Sequence, residues 1–233
     1  MKIIGIDSSG LVASVAIYSD GVIIAEYTTN FKKTHSQTLL PMLDEIKKMT
    51  DLDLESVDAI AIASGPGSYT GLRIGSATAK GIALVIDKPI VEVPTLEGLA
   101  YNFWGTGDLV CPLMDARRGQ VYTGLYEFNP ELGTVVDGSA IPLTDMVEKI
   151  NEIGRPVIYL GDGVPVYKEV LKEKTKVPYL FAPAHRAYQS AASVATLGAL
   201  YYSQNKYVNA DDHAPTYLRK SQAENEGPKQ FEV

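Results

Sequence analysis

One order of predicted elements occurs twice along this chain, and that repetition constrains its fold more than any other feature. Short apolar runs at residues 3–6, 12–18 and 22–27 read as three strands; a helix over 36–50, a strand over 59–63, a helix over 70–85, a strand over 90–93 and a helix over 95–103 follow. After Gly105-Thr106-Gly107 the pattern starts again. Strands at 109–114, 120–126 and 134–140 precede a helix at 144–153, a strand at 157–160 and a helix at 164–174, with a short strand at 179–181 and an Ala-rich helix at 190–203. Two copies of strand-strand-strand-helix-strand-helix predict an α/β protein of two similar halves, with mixed sheets flanked by helices. The expected boundaries are 1–105 and 106–222, with a polar tail at 223–233 expected to fray.

Local signals support the element assignments. Asp20-Gly21 lies between two strand candidates, and both residue types tolerate the positive φ of a tight hairpin. Leu39, Leu43 and Ile46, with Leu40, Met42 and Met49, recur at three and four, the period of an amphipathic helix, and Pro41 is expected in its first turn.

Composition narrows the function. The 233 residues are 45% apolar and 21% charged, which excludes disorder and fibrous repeats. Lys plus Arg (21) minus Asp plus Glu (28) gives −7, so the chain as a whole repels nucleic-acid phosphate, and any RNA substrate is expected to be gripped mainly by another chain. A lone cysteine, Cys111, inside an apolar strand is expected to be inert and fits a reducing compartment. Asp7 interrupts the first apolar run too early for a signal peptide, and Lys80 and Asp87 close the run at 81–86, so the expected location is the cytoplasm, away from the membrane.

Two segments carry candidate chemistry. Asp7-Ser8-Ser9-Gly10 joins the first two strands. Ser64-Gly65-Pro66-Gly67-Ser68-Tyr69-Thr70-Gly71-Leu72-Arg73-Ile74-Gly75 leads from a strand into a helix, where free backbone N–H groups suit an anion. It is no Walker loop, lacking Gly-Lys-Ser/Thr, and Gly71 falls one place late for the dinucleotide fingerprint. A plain tight turn capped by Ser68 or Thr70 explains it equally well. The helix leaving the loop carries Gly71, Gly75, Ala79 and Ala83 at intervals of four, a stripe of small side chains. Glycine inside a helix costs about 1 kcal/mol relative to alanine, which close approach of a partner or of this chain's own sheet would offset.

The duplicated order, with an acidic first hairpin, resembles the actin, sugar-kinase and Hsp70 (ASKHA) superfamily, which implies a nucleotide cleft between the halves. A narrower resemblance rests on His35-Ser36, the 65–75 loop, Ala79-Lys80-Gly81, Thr95-Leu96-Glu97, Asp115-Ala116-Arg117-Arg118-Gly119 with Val121-Tyr122, and Pro215-Thr216-Tyr217-Leu218-Arg219. These segments resemble the bacterial TsaB family over nearly the whole chain. The resemblance implies a non-catalytic subunit that pairs with the paralogous catalytic subunit TsaD and works with a small ATPase, TsaE. Together they place threonylcarbamoyl on the adenosine beside the anticodon of tRNA, which this chain would meet only through the complex. The family contact uses the first two helices of the N-terminal half. This places Leu39, Leu43, Ile46, Gly71, Gly75 and Ala79 at the partner interface; a homodimer formed without the partner is a further expectation.

No cofactor is firmly implied. Asp7, Ser8, Ser9, Gly65 and Gly67 are the candidates for ATP or ADP, at a composite or vestigial site. TsaD carries His-Met-Glu-Gly-His where this chain has Thr95-Leu96-Glu97-Gly98-Leu99, so both metal-binding histidines are replaced. His35, His185 and His213 lack ligand spacing and are expected at the surface or in caps. The alternative is a stand-alone ATPase or kinase of the same superfamily using Asp7 and Asp162, the latter better read as a turn residue after a strand. A peptidase is disfavoured, because no histidine sits near a candidate nucleophile.

Overall fold

The computed structural model describes residues 1–31 and 34–218. The expected tail at 223–233 and Arg219 lie outside the described residues.

The duplication is present in the topology. In the first half, β1 (Lys2–Asp7), β2 (Ala13–Ser19), β3 (Val22–Thr29), β4 (Ala59–Gly65) and β5 (Ile90–Pro94) form a sheet ordered β3-β2-β1-β4-β5. In the second, β6 (Leu109–Asp115), β7 (Gln120–Phe128), β8 (Leu132–Pro142), β9 (Val157–Leu160) and β10 (Tyr179–Phe181) take the order β10-β9-β6-β7-β8. Read from the opposite edge, the two orders are the same. Each sheet is an antiparallel three-strand meander with two parallel strands added on its other side. The central strands β1, β4 and β6 are buried on both faces, so they read as continuous Ile/Val/Ala/Leu runs, whereas β3 alternates because one face meets solvent.

Helices cover the sheets. α1 (His35–Thr50) and α2 (Tyr69–Ile86) pack on one face of the first sheet; α4 (Leu143–Ile153) and α5 (Gly163–Lys174) do the same for the second. Pro41 is the seventh residue of α1 rather than part of its first turn. The helix tolerates it because Pro41 and Gln37, whose carbonyl loses its helical donor, are both exposed and water can take the bond.

The two remaining helices cross between halves. α3 (Thr95–Ala100) follows the first sheet, yet Leu96 and Leu99 pack with Val110, Met114, Ile158 and Leu160 of the second. α6 (Ala191–Ser203) follows the second sheet, yet Val194, Ala195 and Leu197 pack with Ile3, Ala59, Ala61, Val91 and Val93 of the first. The approach is close, and a Cβ on Gly198 would lie 2.4 Å from Ala61 Cβ. Glu26 of β3 receives the N-terminus of α6, its Oε1 accepting from Ser190 Oγ at 2.8 Å and Ala192 N at 3.1 Å. A carboxylate there meets the positive end of the helix dipole.

Candidate functional site

The 65–75 loop closes onto the first hairpin. β1 ends at Asp7, whose carboxylate is 1% exposed; Oδ1 accepts from Ser9 N at 2.9 Å and Ser9 Oγ at 2.6 Å. Burial pushes the Asp7 carboxyl up to about 6, against the opposing pull of those two bonds. Ser9 carbonyl accepts from Ser68 N at 2.7 Å, and Ser8 Oγ donates to Gly71 carbonyl at 2.9 Å. Ser68 caps α2 by accepting from Gly71 N, and Gly65 N donates to Thr95 Oγ1 at 3.1 Å.

Every glycine on the α2 side of this contact is there for space. A Cβ on Gly67 would lie 2.3 Å from Ser9 O, one on Gly71 2.1 Å from Ser8 O, and one on Gly75 2.3 Å from Ser8 Oγ. On the other side, Gly65 takes φ +125°, and Thr216 N donates to Ser64 carbonyl at 2.7 Å, so the chain's C-terminal stretch seals the loop. Gln189 packs on Gly10 and His35 Nε2 bonds Gly10 carbonyl at 2.9 Å. Asp7, Ser8, Ser9, Gly65 and Gly67, expected around nucleotide, are therefore brought together, but against one another. The Ser9, Gly65, Ser68 and Gly71 amides already donate within the chain.

The interface assignment requires a correction. Leu39, Leu43, Ile46 and Ala79 are in the core of the first half, and Gly71 and Gly75 face Ser8 and Ile62. The face of α1 and α2 assigned to a partner is occupied by this chain's own sheet and hairpin. Away from that packing the same helices carry exposed apolar side chains: Leu40, Met49 and Leu84 at about half exposure or more, and Val85, which is 84% exposed. Gly81, on α2 beside Leu84 and Val85 in sequence, is open too, since an added Cβ would meet nothing within 4 Å.

The segment that aligns with the metal motif of the catalytic paralogue has other duties. Thr95 is fully buried as the acceptor for Gly65 N, and Leu99 is in the core between the halves. Glu97, raised by burial, accepts from the Tyr201 hydroxyl, joining α3 to α6. Among the described residues, no three of His, Cys, Asp and Glu are grouped to hold a metal.

His213 also departs from expectation. Its side chain is fully buried, with Nδ1 2.6 Å from Glu92 Oε1, while Lys80 Nζ donates to its carbonyl at 3.0 Å. His185 is exposed, and His35 is half-buried against Gly10. Asp162 precedes α5 and accepts from Asp115 N at 3.3 Å, its carboxyl raised by burial, as a turn residue would be. Burial pushes the Cys111 thiol up to about 12, leaving it protonated and unreactive. Sequence reasoning missed the contacts of Gln189, Glu26 and Thr216 and the Glu92–His213 pair, whose partners lie far along the chain.

The duplicated fold has counterparts among solved structures. The activator of the 2-hydroxyisocaproyl-CoA dehydratase from Clostridium difficile matches 88% of the chain with a TM-score of 0.50 at 12% identity, a likeness of fold alone. A crystal structure described as an uncharacterized protein with similarity to peptidase YEAZ, from Pseudomonas aeruginosa, matches with a TM-score of 0.81 at 25% identity, over 94% of this chain and 99% of that one. The family model for TsaD, tRNA N6-adenosine threonylcarbamoyltransferase, matches residues 22–226. The tRNA threonylcarbamoyladenosine biosynthesis protein TsaB of Bacillus subtilis is 35% identical over 96% of each chain, and that of Escherichia coli 27% identical over the same shares. The chain belongs to the TsaB family, within the wider group that includes its paralogue TsaD.

Proposed function

We propose that this chain is the non-catalytic partner subunit of a cytoplasmic complex that places threonylcarbamoyl on N6 of the adenosine beside the anticodon of tRNA. It pairs with a TsaD-like catalytic subunit and works with a TsaE-like small ATPase. The observation that supports this reading is the closure of the glycine loop over Ser8 and Ser9, which buries the first hairpin beneath this chain's own atoms. Thr95 and Leu99 support it, because one holds the loop shut and the other fills the core. Any ATP or ADP used by the complex is then held by its other subunits or at a site shared with them.

The partner surface is the outward face of α1 and α2, around Leu40, Leu84 and Val85, with Gly81 allowing a facing helix to come close. Self-pairing without the partner would use the same face. Among the described residues no helix is long and apolar enough to cross a membrane, in keeping with this assignment.

Size-exclusion chromatography of the chain with the catalytic subunit tests the surface. Leu84→Asp combined with Val85→Asp should abolish co-elution while leaving the melting temperature unchanged. Val166→Asp, an equally exposed apolar site on α5, should leave co-elution intact. Co-elution of a folded Leu84→Asp/Val85→Asp chain at wild-type affinity would place the contact elsewhere.

A further inference from the structure

The duplication makes the β6–β7 hairpin the counterpart of the β1–β2 hairpin, and the two are built alike. Asp7 Oδ1 accepts from the amide two residues on, Ser9 N; Asp115 Oδ1 accepts in the same way from Arg117 N at 2.9 Å. In the first half the turn is buried beneath the glycine loop. In the second, Arg117, Arg118 and Gly119 are all exposed.

The turn takes an unusual conformation. Arg117 has φ 61°, Arg118 φ 55° and Gly119 φ 75°, so two consecutive arginines lie in the left-handed region that side chains with a Cβ disfavour. The remaining arginines in the described residues are engaged: Arg73 over the Tyr69 ring, Arg155 with Glu127, Arg186 over Phe103. Neither Arg117 nor Arg118 has a carboxylate within ion-pair distance among the described residues. The neighbouring acids are otherwise occupied. Asp115 Oδ1 also accepts from Tyr167 hydroxyl at 3.2 Å, and Asp162 Oδ1 holds Asp115 N.

We propose that the Arg117-Arg118 hairpin is a phosphate contact for the tRNA backbone within the assembled complex. This rests on the tRNA-modification role given above. The chain's net charge of −7 gives no general attraction for RNA, so a local pair of exposed guanidiniums with no ion-pair partner among the described residues is where a polyanion would touch it. A free nucleotide lying between the halves would need the first hairpin as well, which is closed. A backbone passing over the surface needs only the open one.

The test measures tRNA affinity of the reconstituted complex from about 50 to 300 mM salt, using the wild-type chain and an Arg117→Asn/Arg118→Asn variant. Asparagine is chosen because it accepts the left-handed conformation. The expected result is a slope of log affinity against log salt reduced by roughly 1.5, and binding weakened about tenfold to thirtyfold at 0.1 M salt, from two lost phosphate contacts. Co-elution with the catalytic subunit and the melting temperature should not change. An Arg117→Lys/Arg118→Lys variant should keep most of the slope.

An unchanged slope and affinity in the asparagine variant would overturn the proposal. So would lost co-elution, which would make the turn a protein contact, or weakened ATP binding with tRNA binding intact. A wild-type complex that fails to hold tRNA would instead remove the functional role on which the proposal stands.

Discussion

Gly75→Ala and Gly81→Ala are the same substitution on the same helix, and the structure gives them opposite signs. Both replace an interior helical glycine, which by itself stabilises by about 1 kcal/mol. At Gly81 the new Cβ meets nothing within 4 Å, so that gain stands alone. At Gly75 it would lie 2.3 Å from Ser8 Oγ, with Ile62 Cδ1 at 3.4 Å. Ser8 must rotate, breaking its buried 2.9 Å bond to Gly71 carbonyl. An unsatisfied buried hydroxyl costs about 1–3 kcal/mol and overpacking about as much again. The net expectation is a loss of about 1–5 kcal/mol for Gly75→Ala against a gain of about 1 kcal/mol for Gly81→Ala, read by urea unfolding. Removing the offending atom should relieve the clash, because Ser8 Cβ would be at an ordinary 3.6 Å. Ser8→Ala/Gly75→Ala should therefore be more stable than the sum of the single changes by about 1–2 kcal/mol. Equal stability of Gly75→Ala and Gly81→Ala, or strict additivity with Ser8→Ala, would refute the packing of α2 on the first hairpin.

Asp7 makes a pH prediction. Its folded pKa, about 6 against an ordinary 3.8, means the native state holds the proton longer than the unfolded chain, so this group's contribution falls as pH rises between about 4 and 6. Asp7→Asn should be more stable than wild type by about 3 kcal/mol at pH 8, with the difference vanishing below pH 4; a constant difference across that range in urea titrations would contradict it. Glu26→Ala removes the acceptor for Ser190 Oγ and Ala192 N at the start of α6, and should cost about 1–2 kcal/mol in thermal unfolding. No loss there would mean that α6 is held on the first sheet by its apolar contacts alone.

The duplicated fold was legible because each element keeps its own period. Leu39, Leu43 and Ile46 mark a helix, continuous apolar runs mark the central strands, and Asp20-Gly21 marks the hairpin, all within a few residues. What faces what was less legible. The stripe Gly71-Gly75-Ala79 announces close approach but not by whom, and Ser8, which meets both glycines, lies more than sixty positions back in the chain. The same limit hid the exchange of α3 and α6, whose apolar faces look alike in sequence whichever sheet they cover. His213 read as a surface residue because its partner, Glu92, is 121 positions away. Thr95 could be seen to replace a histidine, but its bond to Gly65 N required the fold.

Threonylcarbamoyl transfer to tRNA in a reconstituted system tests the central claim most directly. The chain alone is predicted to give no product, and adding it to the TsaD-like subunit with the TsaE-like ATPase should raise product formation at least about tenfold over those two without it. Asp7→Asn, at the acidic residue of the closed hairpin, should leave that stimulation intact. Product formed by the isolated chain, or an equal yield with and without it, would contradict the account.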